Sequence, residues 1–374
     1  MSPGPRQRAP WLLGASLPRN GLVAALVVAG ALAYMDRMVW IFVLIYSVVL
    51  VVALAAAWSW WCGRHLRLIR ESEEGPKVVG QQLVERFILQ NDSGLPIRSV
   101  EVRDHSLAGG ARAARVVSLA PRQIVTWEVS RRLSSRGRFP LGPTELRMAD
   151  PCGLFQRRLR WPSAGMIIVH PPLVAIPARS LPGAADPQPG RRRPGGRARS
   201  QDLLILLDLC RFSHRGEGAE STLEYAVTVA ASIAQAAAAQ GRAVALSASA
   251  EPRVRIPAGR GEIHDRNLLD YLAVATAQGR VRFPRLVLDE MTPWQGRGGV
   301  VLITADPTQD WVAAAAAAAA PGQRPLAVLL DPAGLSSGGS VQVPARWRLV
   351  LDLWVVRHGD DLARLDTLHG QAVV

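Results

Sequence analysis

Hydrophobic positions along the chain change their period twice. Residues 38 to 62 form a run of 25 without Asp, Glu, Lys or Arg. A helix rising about 1.5 Å per residue carries such a run across a hydrocarbon core of roughly 30 Å. Trp58, Trp60 and Trp61 stand at its C-terminal end, where indoles favour the membrane interface. A shorter apolar run at 21–35 precedes it, and Asp36-Arg37 separates the two. The pattern predicts a transmembrane hairpin over 21–62 behind an N-terminal tail of residues 1–20. From about residue 71 to 177 the helical period disappears. Gln82–Gln90, Ile97–Arg103, Arg115–Leu119, Gln123–Val129, Gly137–Phe139 and Met166–His170 follow at short spacing, with turn clusters such as Asn91-Asp92-Ser93-Gly94 between them. That pattern predicts a small β-sandwich-like domain over 71–177.

From residue 201 strands alternate with helices. Leu203–Leu207 is a continuous apolar run ending at Asp208, as a buried parallel strand reads. Ser221-Thr222-Leu223-Glu224 has the spacing of a capping box, opening a helix that ends at about Gln240 before Gly241. A strand at 243–249, a helix at 262–278, a strand at 300–304 and an alanine-rich helix at 308–320 come next. Strands at 326–330 and 349–356 and a short helix after Gly359 complete the series. This alternation predicts an α/β domain over 201–374 with a parallel sheet covered on both faces.

Residues 178–200 lack apolar periodicity and are rich in Pro, Gly and Arg, which marks a linker. Arg191, Arg192, Arg193, Arg197 and Arg199 lie within it. Such a cluster attracts phosphate through charge and bidentate hydrogen bonding, so docking to anionic lipid or nucleic acid is one reading of it. No aromatic residues interleave the arginines, which weakens the nucleic-acid version.

Composition removes several classes. With 49% hydrophobic and 20% charged residues the chain of 374 is too apolar to be disordered. Lys+Arg is 44 against Asp+Glu 30, a net charge of +14, yet Lys77 is the only lysine. A P-loop needs lysine after a glycine-rich stretch, and Lys77 has no such setting. The three cysteines are far apart and no HExxH occurs, so neither a zinc ribbon nor a zinc protease is indicated, and no cofactor is implied. Arg6, Arg8 and Arg19 precede the first apolar run; Arg64, Arg67 and Arg70 follow the second. The positive-inside rule then places both flanks, and the domains after them, on the cytoplasmic side of the membrane. A competing reading makes the first run a cleaved signal peptide, with Ala31-Leu32-Ala33 as the cleavage site.

Three features coincide further along the chain. Arg136-Gly137-Arg138-Phe139 leads to Leu141-Gly142-Pro143 and then to Asp150-Pro151-Cys152-Gly153-Leu154-Phe155; an apolar strand ends in Asp208; and Glu224-Tyr225-Ala226-Val227 continues into Ala230-Ala231-Ser232. With the hairpin before them, these resemble the bacterial membrane proteins grouped as domain of unknown function 58. The resemblance implies a von Willebrand factor A-like domain behind a β domain. It also implies work beside a MoxR-type AAA+ ATPase in the maturation of protein complexes, without enzymatic activity of the chain itself. A stretch that relatives carry just before the Asp-ending strand is missing, and the linker stands in its place.

A-type domains often hold Mg²⁺ with Asp-x-Ser-x-Ser, whose hydroxyls supply the hard oxygens that a small divalent cation needs. Here the string is Asp208-Leu209-Cys210-Arg211-Phe212, so both serine positions are lost and Ser213 is one residue out of register. Asp306 stands where the distal carboxylate would. The expectation is a partner-binding or degenerate metal site at Asp208, Cys210, Ser213 and Asp306, with no tight Mg²⁺. Cys210 with His214 and Asp208 also suggests a thiol-dependent hydrolase, although nothing nearby marks an oxyanion hole.

Overall fold

In a computed structural model, residues 11–13, 24, 27, 28, 30, 31, 39–73, 75–106, 114–163, 165–177, 180–183, 202–331 and 343–357 are described. The expected first span, the arginines of the linker and the helix after Gly359 lie largely or wholly outside them. The chain divides into two compact units. Residues up to 134 with 138–168 form one, and residues 135–137 with those from 169 onward form the other.

Helix α1 (Val39–His65) is the one helix among the described residues long and apolar enough to cross a membrane. Most of its surface is uncovered, but Ala55, Ser59 and Cys62 are buried. Their spacing of four and three makes one helical stripe, which Cys62 and Trp58 seat on the core of the β unit. Strand β2 (Leu66–Ser72) follows α1 directly, so the β unit begins before residue 71.

The other strands of this unit are β1 (Trp11–Leu13), β3 (Lys77–Val78), β4 (Gln82–Asn91), β5 (Ile97–Asp104), β6 (Ala114–Leu119), β7 (Ile124–Arg132), β8 (Gly137–Pro140), β9 (Thr144–Ala149), β10 (Gln156–Trp161) and β11 (Met166–His170). One sheet has the order β1-β10-β9-β5-β6, a second β2-β4-β7 and a third β3-β11-β8. Phe87 and Trp127 from the second sheet share a core with Val102, Val117, Leu146 and Leu159 from the first. The strands expected from the alternation are thus present in multiple sheets that share one core. Strands β2 and β10 escape the sequence pattern because an arginine stands at an inward position of each. Arg70 occupies an inward position on β2, where its guanidinium reaches Glu85 at 2.5 Å and Asp104 at 3.0 Å. Arg131 joins Asp104 from β7, and all four side chains are 5% exposed or less.

The second unit holds a six-stranded sheet. Its strands are β12 (Asp202–Leu207), β13 (Val244–Ala248), β14 (Val254–Gly259), β15 (Gly298–Thr304), β16 (Leu326–Asp331) and β17 (Asp352–Arg357), in the order β14-β13-β12-β15-β16-β17. All pairs are parallel except β13 with β14. The central strand sorts its side chains by parity. Leu203, Ile205 and Leu207 face a layer with α2 (Thr222–Ala239) and α3 (Glu262–Val274). Leu204 and Leu206 face the other, with α4 (Phe283–Trp294) and α5 (Asp310–Ala318). The edge strand β14 is fixed by charge: Glu290 on α4 accepts from Arg253 at 2.8 Å and Arg255 at 2.7 Å.

Four expectations are corrected here. The end of the expected β domain and the start of the expected linker belong to this unit: Ile176 and Leu181 are buried in its core, and Pro182 O accepts from Arg242. Helix α3 stops four residues early, because its terminal carbonyls at Leu272 and Ala275 turn to the Arg136 guanidinium. The run at 349–356 splits into a short helix α6 (Trp347–Val350) and β17. The capping box is half formed: Ser221 Oγ accepts from Glu224 N–H, but the Glu224 carboxylate pairs with Arg136.

Candidate functional site at the strand ends

Register builds this site. Leu207 lies opposite Ala248 of β13 and Ile303 of β15. The next residue on each strand is therefore Asp208, Ser249 and Thr304, at one level of the sheet. In the strand order, β12 and β15 are neighbours whose chains leave in opposite directions, the position where open α/β sheets form their binding crevice.

Asp208 is fully buried. Its Oδ2 accepts from the Thr304 hydroxyl at 2.7 Å, and its Oδ1 from the Ser249 hydroxyl at 3.2 Å and the Cys210 N–H at 2.9 Å. Ser249 Oγ in turn accepts from Leu209 N–H at 2.7 Å. The three strand ends are clamped together by one carboxylate. Burial pushes the Asp208 carboxyl above its usual range; the hydrogen bonds from Thr304 and Cys210 and the neighbouring His214 pull the other way. Gly279 closes the site from the loop after α3. A Cβ there would stand 1.6 Å from Ser249 O, so only glycine allows its N–H to reach Leu209 O and its carbonyl to accept from Arg211.

The sequence-predicted residues separate on this frame. Cys210 and Ser213 are buried like Asp208, at 1% and 8% exposure. None of the three presents a side chain to a partner, which corrects their reading as contact residues. Asp306 is half-buried; its N–H donates to Thr304 Oγ1, and its carboxylate accepts from Thr308 N–H. It joins the clamp through Thr304 and does not face Asp208 as a second ligand. What the loop does expose is Phe212, at 61%, with the Arg211 guanidinium stacked 4.5 Å from its ring. Thr222, Ser249 and Thr304 were missed by sequence reasoning. For Thr304 the signal was available, since it is the first polar residue ending the apolar run of its strand.

These residues do not fit a divalent cation. Magnesium requires near-octahedral oxygen ligation. Here the carboxylate is enclosed with its lone pairs engaged, and the adjoining positions offer a buried thiol and an exposed phenyl ring. Among the described residues no group of three or more His, Cys, Asp or Glu is placed to hold a metal. The thiol–imidazole pair is not assembled either. His214 Nε2 lies 2.7 Å from Asp208 O, a carbonyl that can only accept, and Nδ1 lies 3.1 Å from the Thr222 hydroxyl. Both ring nitrogens are committed away from Cys210, and burial holds the imidazole below its ordinary range.

The motif residues are structural. Asp150 folds Pro151, Cys152, Gly153 and Leu154 into the turn between β9 and β10. Its carboxylate accepts from Cys152 N–H and Phe155 N–H, with Gly153 at φ +70°. Arg136 sits in the second unit, where it pairs with Glu224 at the start of α2 and caps the end of α3. Gly137 follows at φ +146°, and Arg138 is exposed. Arg191, Arg192, Arg193, Arg197 and Arg199 lie outside the described residues.

A family model described as "Protein of unknown function DUF58" matches residues 193–337. No curated protein matches the chain in sequence. Among solved structures, a CARDB domain from Pyrococcus furiosus is 14% identical over 28% of this chain and 91% of its own, with a TM-score of 0.20. A Niemann-Pick type C2 protein from Japanese carpenter ant is 5% identical over 27% and 88%, with a TM-score of 0.17. An exo-β-N-acetylglucosaminidase from Vibrio harveyi is 13% identical over 40% and 27%, with a TM-score of 0.18. At such scores these likenesses carry no argument about fold or activity.

Proposed function

Since the chain belongs to the DUF58 family through residues 193–337, we propose that it is a membrane-anchored, non-enzymatic interaction protein working beside a MoxR-type AAA+ ATPase in the maturation of protein complexes. The strand order of the second unit, with its antiparallel edge strand β14, supports reading it as a von Willebrand factor A-like domain. The observation that carries the functional reading is the strand-end clamp. Its reactive groups are consumed by one another, while the loop above it displays an apolar ring and a cation, Phe212 and Arg211. Aromatic and Arg side chains are the residues most enriched at the energetic centres of protein interfaces. Affinity capture with the full-length membrane protein should recover an AAA+ ATPase. Phe212→Ser combined with Arg211→Glu should lose it without lowering the melting temperature. Equal recovery by the double variant, or repeated absence of any ATPase with expression confirmed, refutes the assignment.

The anchor is a retained hairpin in this reading. Strand β1 pairs with β10 in the same unit that β2 enters from α1. Residues on both sides of the apolar region thus meet in one body, which supports the hairpin reading. This pairing also argues against cleavage in the first run. For orientation, Cys152 is the one exposed cysteine of three, since Cys62 and Cys210 are buried. A membrane-impermeant maleimide should label Cys152 in inverted inner-membrane vesicles and spare it in intact spheroplasts. The reverse pattern would place the domains outside the cytoplasm.

A further inference from the structure

The arginines at the C-terminal end of α1 fall into two kinds. Arg67 meets Asp92 at 2.6 Å, and Arg70 is enclosed with Glu85 and Asp104. Arg64 and Arg157 meet no carboxylate among the described residues. Arg157 is the first core-side residue of β10 and lies across the helix end. Its Nη1 donates to Ser59 O at 3.3 Å, while its Nε is buried without a hydrogen-bond partner. Gly63 makes room for it: a Cβ there would stand 2.8 Å from Arg157 Cδ and Nε. Burial first, and the nearby Arg64 second, hold the Arg157 guanidinium below its ordinary range. Two cations thus share a corner from which counter-charge is missing.

Depth in the bilayer supplies the remaining argument, and it rests on the reading of α1 as a span. A helix of 27 residues is about 40 Å long, against a hydrocarbon core of roughly 30 Å. The final seven residues, 59–65, then lie at headgroup level. Trp60 and Trp61 are half-exposed there, and the Arg64 guanidinium stacks on the Trp60 ring at 4.6 Å. Indoles at that depth fix the height of the helix, and guanidinium groups bind phosphate oxygens by charge-assisted, bidentate hydrogen bonds. We propose that Arg64 and Arg157, with Trp60 beside them, form a binding site for the phosphate of one anionic phospholipid. The exposed Arg64 guanidinium supplies the accessible donors, the lipid's negative charge offsets the desolvated Arg157 beside it, and the lipid completes the junction between α1 and the β unit.

The test uses the full-length protein in nanodiscs of mixed phosphatidylcholine and phosphatidylglycerol, with retained lipids counted by native mass spectrometry during gradual delipidation. Wild type should keep one phosphatidylglycerol in preference to phosphatidylcholine. Arg64→Gln and Arg157→Gln should each reduce that preference about fivefold, and together roughly twenty-five-fold. Gly63→Ala should mimic Arg157→Gln by pushing that side chain aside, although alanine favours the helix; this separates loss of the site from loss of fold. Unchanged preference in the Arg64→Gln/Arg157→Gln variant overturns the site. Displacement of the retained lipid by excess inorganic phosphate assigns the pocket to free phosphate and overturns the lipid as its ligand. Alkaline extraction is run in parallel. Release of wild type from membranes would refute the span itself, whereas a retained protein without lipid preference refutes only the site.

Discussion

The buried charge cluster of the β unit offers the sharpest quantitative test. Arg70, Glu85, Asp104 and Arg131 carry two positive and two negative charges at 5%, 0%, 2% and 4% side-chain exposure. Asp104 accepts from Arg70 Nη1, Arg70 Nη2, Arg131 Nη2 and the Ser106 N–H. Asp104→Asn keeps the shape and removes one charge, leaving two guanidiniums facing Glu85 alone. Breaking a buried ion pair by removing one partner costs about 3–5 kcal/mol, because the remaining charge stays buried without compensation. At about 1.4 kcal/mol per factor of ten, backbone protection of β2, β4 and β7 should fall at least a hundredfold. Hydrogen exchange read by mass spectrometry on peptides from those strands measures it directly, without assuming that the two units unfold together.

Two controls give the cluster its meaning. Arg86 pairs with Glu128 at 3.0 Å on the same strands, but the two are 54% and 56% exposed. Arg86→Ala should cost no more than about 1 kcal/mol and respond to salt. Replacing Asp104 and Arg131 together by Leu and Met removes one charge of each sign, so it should recover much of the loss, since apolar pairs of similar volume substitute well for buried ions. An Asp104→Asn variant no less protected than Arg86→Ala would show that water reaches the cluster, and would refute its treatment as buried.

Three further outcomes follow from the second unit. Gly279→Ala places a methyl group 1.6 Å from Ser249 O, a backbone atom that cannot step aside; a loss of about 1–3 kcal/mol or more is expected in thermal melts. Asp208→Ala leaves the Thr304 and Ser249 hydroxyls and the Cys210 N–H without their acceptor, at about 1–3 kcal/mol for each group left unsatisfied. Calorimetry should show no tight Mg²⁺ binding, and micromolar affinity that vanishes in Asp208→Ala would show that the strand ends do hold the cation. His214 is held neutral below its ordinary value of 6.5 by burial, so the unfolded state takes up its proton first. Its contribution to stability is present above pH 6.5 and is lost as pH falls through its lowered folded value. His214→Gln should flatten the acid side of the stability profile, and a parallel profile would refute the assignment.

Much of this architecture is legible in the sequence where side chains follow period. Leu203–Leu207 announces a strand buried on both faces, and both core layers are filled by its alternate members. The capping serine at 221 holds as read. Legibility fails where a charged residue occupies an inward position. Arg70 and Arg157 point inward on β2 and β10, and their carboxylate or carbonyl partners lie 15 to 98 residues away in sequence. Strand β14 is lost for a related reason, since its arginines answer to Glu290 on a helix that sequence reasoning also missed. The site shows the same division. Asp208 is visible as a strand terminus, but that Ser249 and Thr304 share its level depends on strand register. Their hydroxyls turn an apparent binding carboxylate into a buried structural one.

The positive charge can now be divided by partner rather than by position. Several arginines meet carboxylates: Arg70 and Arg131 with Glu85 and Asp104, and Arg136 with Glu224, in buried settings, and Arg253 and Arg255 with Glu290 at the sheet edge. Arg70, enclosed with Glu85 and Asp104, contributes to shape, whereas Arg64 and Arg67 remain the exposed positive flank of α1. The guanidiniums free of such pairing at the places argued for function are fewer. On the proposed reading of α1 as a span, Arg64 and Arg157 stand at headgroup level; Arg211 stands beside Phe212 above the strand ends. Each of the three has an aromatic ring or a desolvated setting that raises the value of an incoming anion or aromatic partner. A net charge of +14 therefore does not describe one basic face. Part of the basic complement sits in internal pairs that hold the fold, and the two proposed sites draw only on Arg64, Arg157 and Arg211, each removable by a substitution that leaves the internal pairs intact.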